Sequence, residues 1–305
     1  MARRSDKPVV RKAIRSPRGA QAGQAARSDR SHRDAAGDGP EPRARQHPDD
    51  KLVRVAGLPS VDELFENGAE RVERLYFEAA LKAQVQPWCA YLARRHKVFR
   101  QIGGEEMQRV AGTVMHGGIV ALARPRPIRD LDLSGVEAWA KQGEPMLILC
   151  GGGNPQNIGA IARTAAFYGV RRLVLASHPA QSALPDAAYR VAKGGLEWID
   201  IYRVEELVPV LRRLAAYYDV VGVTGESAVP LGGIERTGKP IALVLDGDDD
   251  GIPRTVAAAC ATVVSLQGSG PMRSLNVSAA AAILIHELLG PGTSGWRAGG
   301  KQAGR

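Results

Sequence analysis

The chain has 305 residues, 44% of them hydrophobic and 24% charged, with a formal net charge of +9. That length supports one or two domains with a substantial core, and the charge favours an anionic partner, nucleic acid before acidic membrane. The composition argues against membrane spans, a secretory signal and a disulfide or zinc framework: no apolar run is long enough to span, the basic N-terminus lacks an apolar stretch, and Cys89, Cys150 and Cys260 stand far apart. A cytoplasmic protein with reduced thiols is expected.

In chain order, residues 1–50 hold 12 Lys/Arg against 7 Asp/Glu and almost no large apolar side chains. Such a segment cannot offset its chain entropy by burial and is expected to be a disordered basic tail. It supports two readings, phosphate contact and simple solubility. From Lys51 the pattern changes. "KLVRVAGLPSVDELFENG" predicts a short strand, a turn and a helix stopped by Gly68; "VERLYFEAAL" and a helical "WCAYLARRHKVF" follow, and "GGIVALARP" predicts the strand that completes a small α/β domain over 51–124. The Pro- and charge-rich "RPRPIRDLDLSG" opens an expected linker, 125–144.

A second unit, 145–290, alternates strands ("MLILC", "RRLVLAS", "DVVGVTG", "IALVLDG", "TVVSLQ") with helices starting near Ile158, Val204, Ile252 and Leu275. Alternation with β-branched strands predicts an α/β fold: a mostly parallel sheet covered by helices on both faces. Residues 291–305 are expected to form a flexible tail.

Ligands of such sheets sit beyond the carboxyl ends of the strands. Three loops there are unusual: "GGGNPQNIGAIART", "DGDDDGIPR" and "GSGPMRSLNVSAAAA". In the first, Asn157 and Gly159 suit a strand-to-helix turn, as a cap and a point of close backbone approach. Arg163 follows on the helix, and reads either as a residue reaching out from the sheet edge or as an ordinary surface arginine. The loop lacks the Gly-Lys-Ser/Thr ending of a phosphate loop and the spacing of a dinucleotide fingerprint. Ser274 and Asn276 open an apolar helix, where capping and chemistry are compatible. Asp246-x-Asp248-x-Asp250-Gly251 begins like a calcium loop, but its twelfth position is Ala257 rather than Glu, and Pro253 fills the eighth. It leaves a strand rather than a helix, so a solvated turn or part of another site remains.

Together, Asn157-x-Gly159-Ala160-x-x-Arg163, the acidic loop and Ser274-Leu275-Asn276-Val277-Ser278 resemble, in order and spacing, the three motifs of the SpoU/TrmH family of RNA ribose 2′-O-methyltransferases in the SPOUT superfamily. Residues 51–124, ending in His116-Gly117-Gly118-Ile119-Val120, resemble the small RNA-binding domain that many members carry. The resemblance implies a trefoil-knotted catalytic domain over 145–290, a homodimer, and methyl transfer from S-adenosyl-L-methionine to a ribose 2′-hydroxyl of structured tRNA or rRNA, without a metal. It makes Arg163 the central catalytic position, with Asn157, Ser274, Asn276 and Asp248 beside it, and lines the cofactor with Asp246, Gly247, Gly251, Leu266 and Leu275. Two positions depart from the family pattern: Asp246 stands where a Gly is usual, and Asp248 where a Glu is usual. The rival from another class is a non-catalytic RNA-binding protein that retains the fold, and cofactor affinity separates the two.

Overall fold

The computed structural model describes residues 52–151, 153–176, 183–224, 229–246, 251–271 and 274–290. Both expected tails lie outside them.

The N-terminal part is a four-stranded mixed sheet in the order β1-β4-β2-β3, from β1 (Val53–Ala56), β2 (Val72–Phe77), β3 (Val98–Gln101) and β4 (Ile119–Ala123). The central strand β4 is buried along its whole length. Its alternate residues divide between two cores: Ile119, Ala121 and Ala123 join the main core, and Val120 packs with Met107 and Ala111 of α3 (Gly104–Ala111). Helix α1 (Leu58–Gly68) stops at Gly68, as its sequence predicts. The expected helix "WCAYLARRHKVF" divides: α2 (Gln86–Ala93) ends before the four basic residues 94–97, and Val98-Phe99 begin β3. Both are β-formers, and β2 offers them a parallel partner.

The second sheet has eight strands, all parallel, in the order β10-β12-β9-β11-β6-β7-β8-β5. They are β5 (Ile128–Asp130), β6 (Met146–Cys150), β7 (Arg172–Ala176), β8 (Asp200–Val204), β9 (Asp219–Val223), β10 (Val229–Pro230), β11 (Ile241–Asp246) and β12 (Thr262–Ser265). The period of two explains the layering. In β6, Leu147 and Leu149 face the main core with α5 (Pro155–Phe167), α6 (Asp186–Ala192) and α9 (Val277–Leu284). Met146, Ile148 and Cys150 face the other core with α4 (Val136–Lys141), α7 (Leu207–Leu214) and α8 (Arg254–Ala257).

Residues 125–144, expected as a linker, are ordered structure: β5 extends the large sheet beside β8, and α4 covers it. The charges of β5 and β8 are paired across neighbouring strands. Arg203 Nε donates to Asp130 Oδ1 at 2.5 Å across β8 and β5, and Arg172 Nη1 donates to Asp200 Oδ2 at 2.6 Å across β7 and β8. The helix expected from Val204 therefore starts at Leu207, after strand β8.

The main core runs without a break from Val53, Leu64 and Leu75 of the small domain to Leu147, Ile161 and Tyr189 of the large one. Polar contacts stitch the same seam. Glu197, in the 3-10 turn Gly195–Trp198, has a side chain only 1% exposed and pairs with Arg71; Arg126 Nη1 lies 3.6 Å from the same carboxylate. Arg126 also donates to the Glu197 carbonyl at 2.8 Å, and its backbone N–H donates to Tyr189 Oη at 2.7 Å. Burial holds the Tyr189 phenol above its ordinary range. Arg54 grips Asp186 through its backbone N–H and its guanidinium, both at 2.9 Å.

Candidate active site

Strands β6 and β11 lie side by side, in register from Ala242–Met146 to Asp246–Cys150, with β9 and β12 next along the sheet. Their carboxyl ends therefore bring the first, second and third unusual loops to one edge. Asp246 is the last residue of β11, in extended backbone. Among the described residues only His96 and Lys193 combine a side chain with positive φ, so Asp in place of Gly at 246 carries no left-handed strain. The left-handed turn falls instead at Gly251, with φ of 81°, where a residue without Cβ is favoured. Asp246 reaches sideways: Cys150 Sγ lies 3.7 Å from its Oδ1 and 3.3 Å from the Leu245 carbonyl. Burial first, and the Asp246 carboxylate second, push the Cys150 thiol up to about 12, so it is inert. Gly247 and Asp248 lie outside the described residues, as do Asp249 and Asp250. Among the described residues no group of three or more His, Cys, Asp and Glu could hold a metal ion.

The first and third loops meet through their asparagines. Asn276 caps α9: its Oδ1 accepts from Ser278 N–H at 2.9 Å and from Ser278 Oγ at 2.6 Å. Those bonds set the amide's orientation, and its Nδ2 donates to Asn157 Oδ1 at 3.2 Å. With its oxygen so engaged, Asn157 presents its NH2 group as a donor. The cap of α5 is Asn154, not Asn157: Asn154 Oδ1 accepts from Gln156 N–H at 2.9 Å, and Pro155 fills the first helical turn. That leaves Asn157, inside the helix, to face α9. Gly159 does permit a close approach, but to protein: a Cβ there would stand 2.4 Å from the Ala188 carbonyl oxygen of α6.

Arg163 is exposed, just over two turns into α5. Six residues separate it from Asn157, which at ~100° per residue sets the two side chains about 120° apart round the helix. Within one chain they do not face one another. Arg163 looks instead into an open hollow of about 610 Å³ that it shares with Lys193, Trp198, Phe167 and Glu63. Ser274 and Asn276 are exposed, Leu275 is 50% exposed, and Leu266 is half-buried against the core. Sequence reasoning missed Asn154, Ser278 and Trp198. The Asn-Pro step marks the first, and the Asn-x-Ser step at a helix start marks the second. Nothing local marks the third.

The donor set fits S-adenosyl-L-methionine. The loop positions named for it supply a carboxylate at Asp246, apolar surface at Leu266 and Leu275 and backbone groups at Gly251, with no Lys or Arg among them. That chemistry accepts a sulfonium cation and a flat base, and would repel neither.

Residues 144–286 match the model of the SpoU rRNA Methylase family, and residues 54–128 match that of the RNA 2′-O ribose methyltransferase substrate-binding domain. A 23S rRNA (guanosine-2′-O-)-methyltransferase RlmB of Xanthomonas campestris pv. campestris is 30% identical over 239 residues, spanning 77% of this chain and 95% of the relative. Its counterpart in Acinetobacter baylyi is 29% identical over 237 residues, 76% of this chain and 94% of the relative. In fold, the chain resembles an rRNA methyltransferase from Sinorhizobium meliloti, with a TM-score of 0.63 at 21% identity over 80% of this chain and 90% of that one. With both models matched in order and relatives covered almost end to end, the chain belongs to the SpoU rRNA methylase family, S-adenosylmethionine-dependent RNA ribose 2′-O-methyltransferases.

Proposed function

We propose that this chain methylates a ribose 2′-hydroxyl of ribosomal RNA, and that Arg163, Asn157, Ser274, Asn276 and Asp248 form its catalytic set. The observation that carries the reading is the Asn276–Asn157 hydrogen bond, which joins the first and third motifs at one sheet edge. The rRNA target is the one named for the relatives above. Asp246, Gly247, Gly251, Leu266 and Leu275 would hold the cofactor, which supplies an electrophilic methyl group when bound. Residues 51–124 would grip RNA ahead of the methyltransferase domain 145–290, and the family's knotted loops would enclose the cofactor.

The chain's own groups have two tasks. A ribose hydroxyl is a weak nucleophile, and its oxygen must be held in line while it loses a proton. The Asn157 NH2 group, oriented through Asn276 and Ser278, would donate to that oxygen. A guanidinium stays protonated, so Arg163 clamps phosphate and stabilises developing negative charge rather than acting as a simple base. Asn157 and Arg163 point to different sides of α5, and a second copy of the chain would reconcile them by bringing its Arg163 to this chain's edge. Ile283, 42% exposed on α9 beside α5, offers apolar surface for that homodimer. No helix among the described residues is long and apolar enough to cross a membrane, and we place the enzyme in the cytoplasm.

The test is to map 2′-O-methyl positions in total RNA from cells with and without the gene. Loss of one ribosomal position is the expected result. Unchanged maps, or a lost position in tRNA, would overturn the rRNA assignment.

A further inference from the structure

The hollow beside Arg163 is built from two parts of the chain that are far apart in sequence. Trp198 closes one 3-10 turn of the large domain and stays 41% exposed, although it is the largest side chain type available for burial. It is not loose. Its indole Nε1–H donates to Glu63 Oε2 of α1 at 2.7 Å, which fixes the ring across the domain seam. That bond also occupies the one carboxylate lining the hollow, leaving Arg163 and Lys193 as its cations. Lys193 is held at φ of 50°, in the left-handed region that a lysine seldom adopts, at the end of α6. The turn beneath is tightly packed on α5: a Cβ on Gly195 would come within 2.7 Å of Arg163 Cα. A flat aromatic surface, immobilised by its edge and flanked by two cations, is the combination that binds an unpaired base with its phosphates.

We propose that Trp198 is a stacking platform for an unpaired base next to the methylated nucleotide, with Lys193 holding an adjoining phosphate. The proposal rests on the methyltransferase reading, because Arg163 is shared between the hollow and the proposed catalytic set. It assigns Trp198 to substrate selection: paired RNA has no splayed base to offer, so the platform favours loops over duplex of equal charge.

The experiment measures binding of the full chain to a hairpin RNA with a long unpaired loop and to a blunt duplex with the same number of phosphates. The proteins are wild type, Trp198→Ala, Trp198→Phe, Glu63→Gln and Lys193→Gln. Trp198→Ala is expected to weaken hairpin binding by about five- to a hundredfold, the range for loss of one base–aromatic stack, and to leave duplex binding unchanged. Trp198→Phe should recover most of the loss, because a ring still stacks without the indole N–H. Glu63→Gln should cost less than Trp198→Ala, and Lys193→Gln should weaken the hairpin and lower its salt dependence. With ribosomal RNA as acceptor, the Trp198→Ala defect should fall in KM rather than in kcat. Equal hairpin binding by wild type and Trp198→Ala overturns the proposal. So does an equal loss on hairpin and duplex, which indicates a general defect of fold or charge. A Trp198→Ala protein whose mass by light scattering differs from wild type shows that a second copy covers the hollow, and also overturns it. Failure of wild type to bind labelled cofactor would count against the methyltransferase reading alone, since the hairpin preference is read without cofactor.

Discussion

The domain seam and the carboxyl edge of the large sheet spend polar residues in opposite ways. At the seam Glu197, Arg71 and Tyr189 are buried, and the half-buried Arg126 bonds to Glu197 and Tyr189. At the edge Ser274, Leu275 and Asn276 stand in solvent, as does Arg163 two turns along α5, and the Asn276–Ser278–Asn157 relay is the order imposed at the edge. A buried ion cluster contributes little net stability, because desolvation offsets its attraction, but it is costly to break. The edge has no buried ion cluster, and its exposed groups are the ones proposed above to meet RNA and cofactor. Mutations should therefore sort cleanly, with seam changes read in stability and edge changes read in rate.

The largest expected effect is at the seam. Glu197→Ala leaves the Arg71 guanidinium buried without its carboxylate, while Arg126 keeps Asp200 at 3.6 Å, and a loss of about 3–5 kcal/mol is expected. Denaturant unfolding of the two proteins measures it, and a loss under about 1 kcal/mol would place the cluster with ordinary surface pairs. Next comes the edge. Arg163→Ala is expected to lower kcat by about 10²–10³, the range for removing one preorganised donor, with an unchanged unfolding midpoint. Turnover near wild type would take Arg163 out of the mechanism; a large drop in stability would move it to the seam side of the comparison.

A third pair of variants splits one residue between the two categories. Asn276→Ala removes both the cap of α9 and the bond to Asn157, so it should cost about 1 kcal/mol of stability together with a fall in rate. Asn276→Asp keeps a capping oxygen for the Ser278 N–H but loses the NH2 group that donates to Asn157 Oδ1. It should restore stability and leave the rate low. If both variants lose rate only in proportion to folded protein, Asn276 is a cap and nothing more.

The same contrast explains what the sequence reveals. Strands β6 and β11 are apolar runs buried on both faces and β7, β9 and β12 have apolar centres with a polar residue at one end or both, and all five are legible as written. Strands β5 and β8 are not, because Asp130, Arg203 and Asp200 interrupt them, and only a neighbouring strand shows that those charges are paired. At the site, residue identity and spacing point to Asn157, Arg163 and Asn276. Which asparagine caps α5 is decided by Pro155 directly after Asn154. The 120° divergence of Asn157 and Arg163 follows from helical geometry alone. Trp198 has no local signal, since its role depends on Glu63, 135 residues away.

The smallest effect expected is at Asp246, the position where the family usually has Gly. Because Asp246 sits in extended backbone, Asp246→Gly relieves no strain, and cofactor affinity should stay the same or tighten only slightly. The thiol beside it reports the change more sensitively. Burial and then the Asp246 carboxylate hold the Cys150 thiol up at about 12, so removing the carboxylate should lower it part of the way, since burial, the larger cause, remains. The sign follows from which state ionises more easily. A cysteine in unfolded chain ionises near roughly 8.5, and the folded thiol resists ionisation, so the stability it contributes is full below that pH. That contribution is lost as pH rises towards 12. Asp246→Gly narrows this window from the top, and the variant should lose less stability between neutral and alkaline pH than wild type. Pulsed alkylation with peptide mapping, read at Cys150 across the alkaline range, should show its reactivity rising at lower pH in the variant. An unshifted alkylation profile would mean that burial alone sets the thiol, and that the Asp246 side chain points away from Cys150 in solution.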